Sequence, residues 1–431
     1  MNWSWIFRAV WMLCLGVNDM SREMKDSGVE WIGEIPKKWK ISKVKYFVKC
    51  FDGKRIPIDI GERKPGPYPY WGAGSITDYV ENYIFDEELI LLGEDGAPFF
   101  DYTRPVAFLV NEKIWVNNHI HVLKPSKTIS SLFLTFFLNA VDYKTYINGS
   151  ILNKLTQNNM KNITIALPTF EEQYKIARLL NEKCEKIDSI IRKSLVLIDE
   201  YRLMKQSVIT KAVTQGIRSS RLMKKCNITW LREIPDEWTT QRGKHLFVET
   251  NERSVTGEEE LLTVSHITGV TPRKNKNVNM FMSESLVDYK ICHEGDIAAN
   301  TMWMWQGAIG VSKYYGVISP SYNTYRQKTD TYDADYLEYL LRISPLVATY
   351  AAYSTGITAS RLRLYPQGFF SILFPVPPRK EQQEIAVYLN KKIPQIDQLI
   401  IKKEKFVDEL KSYKRSLIYE YVTGKKEVPE S

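Results

Sequence analysis

The sequence predicts a mixed α/β protein. Two globular α/β bodies are separated by two long antiparallel helices forming a coiled coil, with a pseudo-twofold internal duplication. Three observations carry this expectation. The segment Trp31-Ile32-Gly33-Glu34-Ile35-Pro36-Lys37-Lys38-Trp39 returns 199 positions later as Trp230-Leu231-Arg232-Glu233-Ile234-Pro235-Asp236-Glu237-Trp238. A second block holds Pro168, Glu172-Gln173, Ile176-Ala177, Leu180-Asn181 and Ile187-Asp188. It returns 209 positions later as Pro377, Glu381-Gln382, Ile385-Ala386, Leu389-Asn390 and Ile396-Asp397. Third, residues 171–215 contain neither glycine nor proline and carry an apolar seam. Repeats of about 20–50 residues would indicate a solenoid, whereas one repeat of this length indicates a duplicated domain.

The 431 residues allow roughly two to four domains. An apolar fraction of 44% is ample for folded cores and excludes a disordered chain. The net charge of +9 fits an anionic partner, nucleic acid foremost, and equally fits an ordinary basic cytosolic protein. Cys14, Cys50, Cys184, Cys226 and Cys292 form no C-x-x-C pair, which points to reduced thiols, not a disulfide framework or zinc site. His119 and His121 are expected on one face of a strand; without a third ligand nearby, no metal is expected.

Residues 1–23 have no counterpart in the second half. Their apolar stretch is too short to span a bilayer, which takes roughly 20 apolar residues, and it lacks a small-residue cleavage site. They are read as a mis-assigned start or disordered extension, with Met20 or Met24 the natural initiator. The first body occupies 24–168, with strands expected at 89–92, 106–110 and 163–166 and a helix at 131–141. Its turns are marked by Gly66-Pro67, Gly72-Ala73-Gly74 and Asp95-Gly96-Ala97-Pro98. The first long helix takes 169–216, followed by a linker at 217–228. The second body takes 229–376, with strands expected at 261–264, 309–312 and 370–374 and a helix at 335–342. The second long helix takes 377–425, and 426–431 is a tail.

Leu180, Cys184, Ile187, Ile191, Ile198, Tyr201, Val208 and Ala212 follow heptad spacing. Leu389, Ile393, Ile396, Ile400, Val407, Leu410, Leu417 and Tyr421 repeat the pattern. Polar gaps fall at Ser194 and Lys205, and again at Lys403 and Lys414. Each helix of about 40–45 residues is on the order of 60–68 Å long. Neither could expose its seam to water alone, so the two are expected to pack antiparallel. Pro394 removes a backbone donor, and a bend or break is expected at 391–394. Gly216 and Gly424 supply helix stops.

Catalytic signatures are missing. The chain has no G-x-x-x-x-G-K-[ST] loop, no G-x-S-x-G elbow and no H-E-x-x-H helix. Gly72-Ala73-Gly74 lacks the third glycine of a cofactor loop and reads as a turn. Residues that converge only in the fold stay outside such a search, yet a binder is the better reading than an enzyme.

The order of body, long helix, body, long helix resembles the specificity (S) subunit of type I restriction-modification enzymes. The resemblance rests on Gly28-Val29-Glu30-Trp31-Ile32-Gly33-Glu34-Ile35-Pro36 and on the two strand-to-helix joints. These are Leu167-Pro168-Thr169-Phe170-Glu171-Glu172-Gln173 and Val376-Pro377-Pro378-Arg379-Lys380-Glu381-Gln382. It covers residues 24 to 425. It implies two target-recognition domains, each reading one half of a split, asymmetric site on double-stranded DNA. The helices would act as spacer and dock two methylase (modification) subunits. Restriction subunits would add translocation and cleavage in a phage-defence complex. S-adenosylmethionine, ATP and magnesium would sit on those partners, with no cofactor in this chain. The location implied is cytoplasmic, on nucleoid DNA, with no membrane. A helical scaffold organising protein or RNA partners is the other reading.

Within the bodies, Lys37, Lys38, Lys40, Lys43, Lys45, Lys49, Lys54 and Arg55 make a basic opening stretch suited to phosphates. Each also reads as a solvated lysine face. Arg55 is the best base reader among them, since guanidinium binds guanine in bidentate fashion. Tyr70, Trp71 and Ser75 flank the glycine turn and offer an aromatic platform, although a buried core role is the commoner fate of tryptophan. Asn117, Asn118 and His119 offer amides to adenine. Ser265, His266, Arg273, Lys274, Asn300, Trp303 and Gln306 are the counterparts in the second body. Both bodies carry a late loop with the same glycine-to-leucine spacing, which makes Lys154 and Arg361 candidates for phosphate contacts and Ser360 a DNA-binding candidate of the same loop.

Overall fold

The computed structural model describes residues 22–148, 153–275, 285–356 and 362–429. The described residues form two compact units: those up to 195 together with those from 405 onward, and those within 196–404.

In the first unit the strand Lys40–Lys43 pairs antiparallel with Thr164–Leu167, the strand that leads into the long helix. Between them lie two four-stranded sheets. One orders Ile76–Val80, Pro65–Trp71, Lys113–Val116 and Phe85–Asp86; the other orders Val48–Cys50, Ile120–Pro125, Leu89–Gly93 and Ala107–Val110. Side chains alternate across a strand, and the run Leu89-Ile90-Leu91-Leu92 uses both faces. Leu89 and Leu91 pack with Trp71, Ile114, Ile120 and Val122 from the two sheets. Ile90 and Leu92 belong to the other core, with Phe133 and Phe137 of helix Ser131–Ala140. That is why the strand is apolar throughout.

The second unit repeats the plan with different parts. Thr239–Arg242 pairs with Leu373–Val376 before the second long helix. A sheet orders Phe247–Thr250, Asn323–Gln327, Ile297–Ala299 and Ile309–Val311, all antiparallel. Ile297 and Ala299 enter the main core, whereas Ala298 faces a smaller one with Leu262, Val264 and Val270. Helix Ala334–Leu341 is followed by helix Ser344–Tyr353. The expected strand at 370–374 is corrected: helix Pro366–Ser371 takes its first half, and the strand begins at Leu373. Proline at the helix start is compatible with the missing N–H.

The long helices are Phe170–Gln215 and Arg379–Val422. The second runs through Pro394 as one helix, so of the expected bend or break there is no break. Ile393 and Ile396 on either side are buried in the core of the second unit, and this packing holds the helix across the lost hydrogen bond. Both helices end at a glycine of positive φ, +78° at Gly216 and +75° at Gly424, the left-handed stop that glycine makes at least cost.

Each helix root carries the same constellation. In the first unit Glu172 accepts the Trp39 indole N–H at 2.9 Å and the Arg22 guanidinium at 2.7 Å. In the second, Glu381 accepts the Trp238 indole N–H at 3.0 Å and the Arg221 guanidinium. The next residue acts alike in both. Gln173 accepts the backbone N–H of Ser130, and Gln382 that of Asp333. Ser130 and Asp333 are the N-caps of the body helices. Arg22 falls inside the segment set aside as an extension, so the fold reaches at least two residues before Met24. It also donates to the carbonyls of Gly424 and Lys426.

Within each unit the two helices run antiparallel. In the first, Lys414 donates to both Asp188 oxygens at 2.7–2.8 Å, and Lys183 lies over the Tyr421 ring. In the second, Lys205 donates to Asp397 at 2.6–2.8 Å and Arg202 to Glu404. The seam residues Leu180, Ile187, Ile198, Leu389, Ile396, Val407 and Leu417 are buried. Ile191, Val208, Ile400 and Leu410 are half-buried. The gaps at Lys205 and Lys414 are ion pairs across the seam.

Glu381 is 3% exposed and Arg221 9% in their side chains, so removing one partner strands a buried charge. Glu381→Ala should cost about 3–5 kcal/mol in urea unfolding followed by tryptophan fluorescence. Glu172→Ala should cost less, because its side chain is 28% exposed.

Candidate nucleic-acid interface

In the first unit several loops converge at one end of the paired sheets. The Asn117 N–H donates to the Trp71 carbonyl at 3.1 Å, and the Glu94 N–H donates to the His119 carbonyl at 3.0 Å. The Leu155 N–H donates to the Glu94 carbonyl at 2.8 Å, and the Gly96 N–H donates to the Asn153 carbonyl at 3.3 Å. Gly93 makes this crowding possible: a Cβ there would sit 2.3 Å from the Ala97 side chain and 2.8 Å from the Ala73 carbonyl. Segments 71–75, 93–98, 117–119 and 153–155 thus share one surface, and Arg55 reaches into it.

Arg55 is mostly interior there. Its guanidinium donates to Glu94 at 2.5 Å, to the carbonyls of Asn118 and Ile120, and to the Asp52 carbonyl at 2.9 Å. Its donors are committed to joining loops, which corrects its expected role as the best base reader. Tyr70 and Trp71 are also corrected. Both rings are buried in the body, and the Tyr70 hydroxyl receives the Ile58 N–H, so they form core and not a platform. Ser75, Asn118 and His119 are exposed. Asn117 accepts the His119 N–H at 2.6 Å, which shapes the turn. Lys154 is half-exposed, 3.7 Å from Glu94 and 3.8 Å from Asp95.

His119 and His121 do not share a face. His119 precedes the strand Ile120–Pro125 and lies 3.7 Å from Asp95, whereas His121 is buried inside it. Its Nδ1 is 2.7 Å from Asp52 Oδ2 and its Nε2 is 2.8 Å from the Leu155 carbonyl. Asp52 also accepts the Val122 N–H and the Gln157 amide. Ligand-type atoms of Asp52, Glu94 and His121 lie within 4.8 Å of one another, and the Arg55 guanidinium already supplies the cation among them. Burial works to raise the Asp52 carboxyl, but the hydrogen bond and charge of His121 and the Val122 N–H outweigh it. The carboxyl is held well below its ordinary range. The sequence reading missed this cluster, since Asp52, Glu94 and His121 meet only through strand pairing.

The second unit presents a different surface. Ser265 Oγ accepts the N–H groups of Ile267 and Thr268 at a hairpin tip. The His266 and Ile267 carbonyls accept Arg342, which also pairs with Glu338. Arg342 is a residue that sequence reasoning left unassigned. Asn300 is buried; it accepts the Met302 N–H and donates to the Tyr322 hydroxyl, so it shapes the loop instead of facing a base. Burial pushes the Tyr322 phenol up while the Arg273 charge opposes it; Arg273 opens the turn Arg273–Asn275 and its backbone N–H donates to the Leu261 carbonyl at 2.9 Å. Lys274 pairs with Glu260 at 2.6 Å. Trp303 is 48% exposed and stacks on Trp305 at 6.1 Å and 18°. Gln306 is half-buried, and its backbone N–H donates to the Trp303 carbonyl. Gly307, at φ +87°, closes the turn where a side chain would be strained. Ser360 and Arg361 lie outside the described residues.

Two buried thiols are held protonated. Burial pushes Cys184 up to about 11 and Cys292 up to about 12. Among the described residues no helix is long and apolar enough to cross a membrane.

The Asp52 shift carries a sign for stability. A depressed carboxyl stabilises the fold above its ordinary value of 3.8, and that contribution is lost as pH falls. The first unit should therefore lose stability progressively below about pH 4. Asp52→Asn should be less stable at neutral pH and show a flatter acid limb in pH-dependent denaturant unfolding. An equally steep limb in the variant would assign the loss to other carboxylates.

Comparison with known proteins agrees with this architecture. A family model described as the type I restriction modification DNA specificity domain matches residues 36–197. A Haemophilus influenzae protein, named for a type I restriction enzyme specificity subunit, is 25% identical over 78% of this chain and 83% of its own length. The type I restriction enzyme MjaVIII specificity subunit of Methanocaldococcus jannaschii is 22% identical over 91% of this chain and 93% of its own. A chain from a solved structure concerned with complex assembly of the type I R-M system superposes with TM-score 0.64 at 15% identity. It covers 90% of this chain and 98% of that one, a likeness of fold. With its duplicated bodies and paired helices, the chain is similar to type I restriction-modification specificity subunits over most of its length.

Proposed function

We propose that this chain is the non-catalytic DNA sequence-specificity subunit of a type I restriction-modification complex. Each body reads one half of a split, asymmetric site, and the long helices dock the methylase subunits. The observation that carries the reading is a duplication with opposite fates for its parts. The helix roots are built twice from equivalent residues, Trp39, Glu172 and Gln173 in one unit and Trp238, Glu381 and Gln382 in the other. Among the described residues the loop surfaces share no such constellation, which fits two readers of different half-sites.

Methyl transfer with S-adenosylmethionine, and ATP- and magnesium-dependent translocation and cleavage, belong in this reading to partner subunits. Exposed Ser75, Asn118, His119 and Lys154 are the first body's contact candidates. His266, Arg273, Lys274 and Trp303 are those of the second. Phosphate contacts supply affinity and base-edge contacts supply sequence.

Methylation mapping of host DNA tests the whole reading. A split adenine-methylated site should vanish when this chain is deleted, and an unchanged methylome would overturn it. Exchanging residues 229–376 for another family member's body should change one half of the site alone. Lys154→Ala should weaken binding across many sequences and lower the salt slope by about one; altered base preference at constant slope would contradict a phosphate role.

A further inference from the structure

The buried histidine of the first unit has a role that its surroundings define. His121 is fully buried on the strand Ile120–Pro125. Nδ1 faces a carboxylate oxygen of Asp52 at 2.7 Å, and Nε2 faces the carbonyl oxygen of Leu155 at 2.8 Å. A peptide carbonyl can only accept. Asp52 is ionised, since it also receives the Val122 N–H, the Gln157 amide and the charge of Arg55 at 3.8 Å. A ring with one proton would therefore aim a lone pair at an oxygen lone pair within hydrogen-bond distance, in a site without solvent to relieve it. Both bonds form only when both nitrogens donate. Glu94, 3.7 Å from Nδ1, adds a second compensating carboxylate.

We propose that His121 is a positioning residue of the first reading face, a buried imidazolium that clips the Lys154–Leu155 strand to the body. The inference rests on reading that face as a DNA surface. Leu155 is held through both of its backbone polar groups, its carbonyl by His121 and its N–H by the Glu94 carbonyl. Lys154 is thereby placed against Glu94 and Asp95. Glu94 and Asp52 also orient Arg55, which in turn holds the Asn118 and Ile120 carbonyls beside His119. One protonated ring thus sets the relative placement of segments 52–55, 94–95, 117–119 and 154–155. It touches no DNA itself.

The test uses the full chain in complex with its modification subunits. The chain has five histidines, so selective 15N-imidazole labelling gives a sparse spectrum at neutral pH. The buried ring should show two slowly exchanging N–H groups, absent in His121→Gln. Methylation mapping of His121→Gln should show the ratio of cognate to mismatched first halves falling by about tenfold, the scale of one lost base contact. The second half should be unchanged. A single-proton tautomer in the wild-type ring would overturn the proposal, and so would a folded His121→Gln complex with unaltered first-half preference. If the variant does not fold, the wild-type spectrum decides alone. A wild-type complex that leaves no split methylated site would overturn the DNA reading itself.

Discussion

Everything in either half hangs on the acid-amide pair at the root of its long helix. Glu172 and Glu381 hold an indole N–H and a guanidinium from the opening segment, while Gln173 and Gln382 hold the N-cap of the body helix. Three parts of the chain far apart in sequence are tied at two adjacent residues. A carboxylate withdrawn from water is tolerated only where its partners satisfy it, so the opening segment, which supplies Arg22 and Trp39 or Arg221 and Trp238, and the helix root require each other. This requirement explains why these short blocks repeat so closely while the bodies do not.

The helices are joined by a second device with the same logic. Asp188 with Lys414, and Asp397 with Lys205, are equivalent pairs placed at gaps in an otherwise apolar seam. An apolar residue at each gap would pack as well or better. A charged pair instead penalises every register that leaves either partner alone, which is the established use of polar residues in coiled coils. Both pairs are only partly buried, so their contribution lies in selecting one alignment more than in stability.

The two surfaces proposed to read DNA are organised by different chemistry. The first is organised by a buried network of Asp52, His121, Glu94 and Arg55, with Lys154 at its rim. The second is organised by neutral turns around Asn300 and Ser265 and by Arg342 under a hairpin, leaving Trp303 at the surface. In both, residue types that can read bases are partly spent on shaping loops. Tyr70, Trp71, Arg55 and Asn300 are all interior or committed, and what faces outward is a smaller set.

The duplication, the heptad seams, the helix stops at Gly216 and Gly424, and the absence of a recognisable catalytic motif were legible in the sequence. All are local or periodic, and periodicity survives without coordinates. Helix Ser344–Tyr353 and the helical turn at Pro366–Ser371 were not legible, because short apolar runs read alike as strand or helix. Pro394 argued locally for a break, and the burial of Ile393 and Ile396 overrode it. Only the tertiary structure decided that Arg55 faces Glu94 and that His121 bridges Asp52 and Leu155. Those partners are brought together by strand pairing, and a residue's exposure is a property of the pairing, not of its type.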